Sequence, residues 1–184
     1  MLNEKSCPEE PQKPVNSLIS ALSSQQRLVR EQARKSLVAS GGAAVGPLTD
    51  ALASPERLTR WEAAKALVQI GDPAAAPALV SVLGDRYFGV RWLAAEGLIS
   101  MGAAGLPPLL SALENHPAGV GLRDAAHHVL QTQVEEGQHQ FLEPLLQALD
   151  AGEPNVTIIV LAAQAREALE SAAAPRSSSP GSTS

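Results

Sequence analysis

Two interleaved series of residues recur along this chain at a nearly constant interval. Leu18, Leu48, Leu79 and Leu109 are separated by 30, 31 and 30 residues, and Leu145 follows after 36. Each has a second leucine four residues later, at Leu22, Leu52, Leu83, Leu113 and Leu149. Between them run Arg30, Arg60, Arg91 and Arg123, at intervals of 30, 31 and 32. Three residues after each arginine stands Ala33, Ala63, Ala94 or Ala126; seven after stands Leu37, Leu67, Leu98 or Leu130. A unit of this size cannot bury an apolar face alone, so successive units must stack. The expected fold is all-α: a right-handed α-α superhelix, a short solenoid of about five helix pairs.

One unit read residue by residue shows why it is a helix pair. In LTRWEAAKALVQIGDPAAAPALVSVL, residues 58–83, Leu58, Ala63, Ala66, Leu67 and Ile70 keep the spacing of one helical face. Gly71 should end that helix, because the left-handed conformation beyond a helix is cheapest for glycine. Asp72 and Pro73 suit an N-cap and a first helical residue, and the second helix should bury Leu79, Val82 and Leu83. Equivalent long helices should close at Gly41 or Gly42 and at Gly102. The scarcity of aromatic residues (one Tyr, two Phe, two Trp) against abundant Ala and Leu favours packed helices over a sheet.

The flanks differ. Residues 1–14 carry three prolines and no periodicity and are expected to form a flexible arm; the solenoid should span 15–171, and 172–184 should be a disordered Ser/Pro/Gly-rich tail. A lone Cys7 allows no disulfide within one chain. No apolar run reaches the roughly 18 residues that span a bilayer, and no signal-peptide core precedes residue 15, so a soluble cytoplasmic protein is expected, with no membrane partner.

VRWLAAEGLISMG, LTRWEAAKALVQIGD and, more loosely, LVREQARKSLVASGG resemble the HEAT-like repeat named after phycobilisome lyases, whose unit is close to V-R-x-x-A-x-x-A-L-x-x-I-G-D. The resemblance covers residues 15–133 well and 139–170 loosely. It implies the solenoid architecture and leaves function open, because this repeat serves many roles. The fourth and fifth units depart from it: residues 114–121 form a longer connection, Val134 stands where a closing glycine is expected, and no arginine holds the ladder position in the fifth unit. There Ala165 and Leu169 are the nearest equivalents, and the unit reads as a terminal cap.

Several residues could carry function. The ladder Arg30, Arg60, Arg91 and Arg123 should bridge loops and helix ends between layers. Larger HEAT families place an Asp six residues before such an arginine; here only Asp85 fits, with Ser24, Ser54 and Pro117 elsewhere. Trp61 and Trp92 each follow a ladder arginine, with Lys65 and Glu96 one turn on; Asp124 and His128 continue this ridge in the fourth unit. The ridge lies off the core stripe and is expected to face a groove lined by the long helices. There the two rings either anchor a partner or cover neighbouring helices. His127 and His128 are adjacent and diverge by about 100° on a helix, which argues against one metal site holding both. No sequence motif assembles a nucleophile with a base or calls for a metal or cofactor.

The expected function is therefore a non-catalytic interaction module that binds another protein, of unspecified identity, through Trp61, Lys65, Trp92, Glu96, Asp124 and His128. A second reading, implied by the repeat type, is an accessory factor or lyase acting on a bilin or other tetrapyrrole, with Glu96, Asp124 or His128 managing its protons; a small-molecule ligand thus stays open. Nucleic-acid binding through Arg27, Arg30, Arg34, Lys35 and Trp61 is a third. The net charge of −5 argues against it. Charge is also uneven: residues 15–42 balance at +3 and residues 139–170 at −4, which could orient a partner.

Overall fold

The computed structural model describes residues 14–115, 119–135 and 139–173; most of the expected arm and tail lies outside them. Among the described residues all regular structure is helical: α1 (Val15–Ala21), α2 (Arg27–Ala39), α3 (Val45–Ala51), α4 (Arg57–Ile70), α5 (Ala76–Ser81), α6 (Phe88–Ser100), α7 (Leu106–Asn115), α8 (Val120–Glu135), α9 (Glu143–Asp150) and α10 (Asn155–Ala173). Short helices alternate with long ones, as the two residue series require. The fold is an all-α solenoid of helix pairs. These helices group into two compact units, residues 1–75 and 76–184.

The repeated residues form the cores. Ala63, Ala94 and Ala126 are fully buried, as are Leu37, Leu67, Leu98 and Leu130; Leu48, Leu79 and Leu109 on the short helices are equally closed off. Alanine lets two helix backbones approach, and leucine fills the space that remains. In the first unit α1 packs on α2, α3 on α4, and the long helices α2 and α4 on each other. In the second unit α5 packs on α6, and α6 packs on α8.

The helix ends follow local chemistry. Gly41, Gly71 and Gly102 take positive φ values of 55°, 68° and 55° behind α2, α4 and α6, which a side chain would oppose. Asp72 caps as expected, its Oδ1 accepting from the Ala74 N–H at 2.9 Å. What it caps is a single 3₁₀ turn, Pro73–Ala75, so the short helix starts at Ala76 rather than at Pro73. Gly105, in the matching 3₁₀ turn Gly102–Gly105, is fixed by closeness: a Cβ there would stand 2.6 Å from the Leu98 carbonyl oxygen.

The C-terminal helices break the pattern. Among the described residues, α10 packs on α7 more extensively than any other two helices pack together. Arg166 of α10 reinforces this contact, donating from Nε to Glu114 at 2.8 Å and from Nη2 at 3.3 Å. It also donates to Glu170 at 2.7 Å. Ala165 is buried at the equivalent position, but Leu169 and Leu149 are only half-buried, and Leu142 is fully closed off.

Candidate functional site

Three of the ladder arginines tie down the turn of their own repeat. Arg30 Nη1 donates to the Ser24 carbonyl at 2.7 Å, Arg60 Nη1 to the Ser54 carbonyl at 2.9 Å, and Arg91 Nη1 to the Asp85 carbonyl at 2.8 Å. Each acceptor lies six residues upstream, in the turn that leads from short to long helix. The side chain there does a different job: Ser24, Ser54 and Asp85 each accept the N–H two residues on, at 3.2, 3.2 and 2.8 Å. Serine and aspartate both stabilise such turns, so either can fill this part of the role. Gln26, Glu56 and Tyr87 precede the long helices without a side-chain cap; the arginine ties down the turn instead. Arg123 departs from the series. It donates to the Glu153 carbonyl between α9 and α10, while its Nε is buried without a hydrogen-bond partner.

Arg30 also reaches the next long helix, through a residue that periodicity did not single out. Glu62 on α4 is 3% exposed. It accepts from Arg30 Nε at 3.3 Å and from Arg34 Nη1 at 2.9 Å, and Arg34 Nε donates to Gln69 at 3.3 Å. The available signal was positional. Glu62 lies two residues past its ladder arginine, where the other units have Gln32, Leu93 and Ala125; Arg34 lies four past, where they have Ala64, Ala95 and His127. A charged residue at a position that is apolar in two of the three other units needs a partner in the neighbouring helix.

The proposed interaction residues fall into two groups. In the first unit Lys65 Nζ lies over the half-buried Trp61 ring, 4.8 Å from its centroid. In the second unit Trp92, Glu96 and His128 converge. Trp92 is 46% exposed. It stacks on Phe88 at 5.9 Å and on His128 of α8 at 5.0 Å. His128 Nε2 stands 3.3 Å from Glu96 Oε1. Asp124 is exposed one turn before His128 and belongs to the same ridge. His128 covers one side of Trp92, yet much of the indole faces solvent.

Phe88 belongs to this surface although periodicity did not mark it. It precedes the ladder Arg91 by three residues, and Val120 precedes Arg123 by the same interval. Phe88 is 65% and Val120 76% exposed. The Arg91 guanidinium lies 5.7 Å from the Phe88 ring, and a Cβ at Gly121 would meet the Arg91 side chain at 3.5 Å. The α6 ridge therefore reads Phe88, Trp92, Glu96, and the α8 ridge beside it Val120, Asp124, His128. His127 turns the other way, with Nε2 2.7 Å from Asp150 Oδ1. Among the described residues no three His, Cys, Asp or Glu side chains group as metal ligands would, and no helix is long and apolar enough to cross a membrane.

Stacked helix pairs with a small-residue core and a turn-binding arginine in successive units define an α-solenoid of the HEAT class. The family model for HEAT repeats matches residues 15–99, and that for the PBS lyase HEAT-like repeat matches residues 90–115. Together they span more than half of the chain, which belongs to the HEAT-like repeat proteins of the PBS lyase type. A chain in the complex of CpcE and CpcF of phycocyanin lyase from Nostoc sp. PCC7120 has a similar fold, with a TM-score of 0.50 and 23% sequence identity. The match covers 93% of this chain and 70% of that one, and at this identity the likeness is one of fold. No curated protein matches the sequence.

Proposed function

We propose that this protein is an interaction module that engages a partner polypeptide on the face formed by α6 and α8. The observation that carries the reading is the ordered aromatic stack Phe88–Trp92–His128, left open to solvent between two packed helices. An aromatic group held by its neighbours loses little conformational freedom on binding and supplies a large contact area, the usual make-up of an interface anchor. Trp61 and Lys65 are a second candidate contact, on the first unit. Affinity capture with wild type and with the Trp61→Ala/Trp92→Ala double variant tests the reading. A partner retained by the variant, or a variant that loses its helical signal, would overturn it.

A second reading draws more direct support from the comparisons: an accessory factor or lyase acting on a bilin. The PBS lyase repeat match favours it, and so does the fold shared with a chain of a phycocyanin lyase complex. A flat conjugated ligand could lie along the Trp92 edge, with Glu96, Asp124 or His128 exchanging protons with its pyrrole nitrogens. Mixing the protein with a free bilin and recording visible absorbance separates the readings. A red shift lost in Trp92→Ala would support chromophore handling; an unchanged spectrum would leave the polypeptide reading.

A further inference from the structure

We infer that the α6–α8 face takes a basic amphipathic segment of its partner, with an apolar residue seated on Phe88 and Val120 and a cation on Asp124 or Glu96. This rests on the interaction reading above and adds the chemistry of the partner. Three large apolar side chains, Phe88, Trp92 and Val120, are solvent-exposed on two adjacent ridges. Phe88 stacks on Trp92, and Val120 holds on α8 the place that Phe88 holds on α6, the helix packed against it. Along both ridges an exposed apolar group is followed by a carboxylate. Asp124 comes one turn after Val120, and Glu96 one turn after Trp92.

Charge selects the sign of the partner. The described part of residues 76–173 holds ten carboxylates against four arginines. Of these arginines, Arg91 is directed at the Asp85 carbonyl and the Phe88 ring, and Arg166 at Glu114 and Glu170. The same ridge positions read Arg27, Glu31, Lys35 on α2 and Arg57, Trp61, Lys65 on α4, net positive on both helices, so the preference belongs to the second unit and not to the repeat in general. A segment with an apolar residue and a Lys or Arg about one helical turn apart, roughly 5.4 Å, matches both ridges. Opposite charge at the margin then steers the encounter and fixes the orientation.

The test uses the full chain and fluorescein-labelled peptides of about 14 residues, roughly four helical turns. One carries Leu on one face and Lys on the other, a second replaces Lys by Glu, and a third keeps Lys but replaces Leu by Ser. By fluorescence anisotropy at about 0.15 M salt, the Leu/Lys peptide should bind, and the other two should bind at least about tenfold more weakly. Phe88→Ser and Val120→Ser should each weaken it by about tenfold, with the helical signal intact, since both residues are exposed. Glu96→Gln/Asp124→Asn should flatten the salt dependence. Equal binding of the Leu/Glu peptide through Phe88 would overturn the charge assignment and leave the interaction reading standing. Binding of every peptide with no effect of Phe88→Ser or Val120→Ser, or no binding at all, would overturn the assignment of this face.

Discussion

Replacing Glu62 by leucine should destabilise the first unit by about 3 kcal/mol, and the geometry sets that size. The Glu62 side chain is 4% exposed and holds two arginines whose side chains are 13% and 9% exposed. Leucine keeps most of the volume, so the cost is electrostatic: two arginines lose the carboxylate that both of them hold in a largely dry site. Removing one partner of a buried ion pair costs about 3–5 kcal/mol. The lower end applies here, because Arg30 keeps the Ser24 and Gln25 carbonyls and Arg34 keeps Gln69. For a chain of this length that corresponds to a fall in Tm of about 6–12 °C. Replacing the better-bonded pair together, Arg34→Met/Glu62→Leu, should return stability to within about 1 kcal/mol of wild type, since apolar groups of similar volume often substitute for a buried pair without loss. Urea unfolding followed by circular dichroism measures both. A single-variant loss below about 1 kcal/mol, the scale of an exposed pair, would refute the reasoning. So would a double variant no better than the single.

Two further outcomes are expected. Leu67→Ala and Leu98→Ala should each cost about 2–5 kcal/mol in the same assay, because both leucines are fully buried between helices; a change within error in both would place the repeat register elsewhere. The Arg166–Glu114 pair should make part of the stability pH-dependent. The hydrogen bond from Arg166 holds the Glu114 carboxyl below its ordinary value, while the carboxylates of Glu114 and Glu170 raise Arg166. A depressed carboxyl pKa contributes stability above the unfolded value, and the contribution is lost as pH falls through the folded one. Arg166→Gln should therefore be less stable than wild type at neutral pH, and the difference should shrink below about pH 4. A gap that persists at low pH would assign the effect to packing instead.

Periodicity alone was enough to place most helices, because the core positions of a repeat are apolar for one reason and recur at one interval. The interval from Leu18 to Leu109 predicts α1, α3, α5 and α7, and the alanines after each ladder arginine predict which faces of α2, α4, α6 and α8 are buried. The closing glycines could also be read directly, since a left-handed residue is a local requirement. The Trp92–Glu96–His128 grouping was legible because a ridge of residues four apart on two adjacent helices is set by helix geometry. Three things depended on tertiary structure. The ladder arginines bind backbone carbonyls, which no residue identity announces. Glu62 is anchored by arginines in another helix, about thirty residues away in sequence. The packing of α10 on α7 rests on a contact between Arg166 and Glu114, 52 residues apart, whose pairing no repeat interval encodes. The last two join groups that meet only after distant segments have packed, and local sequence pattern carries no record of that distance.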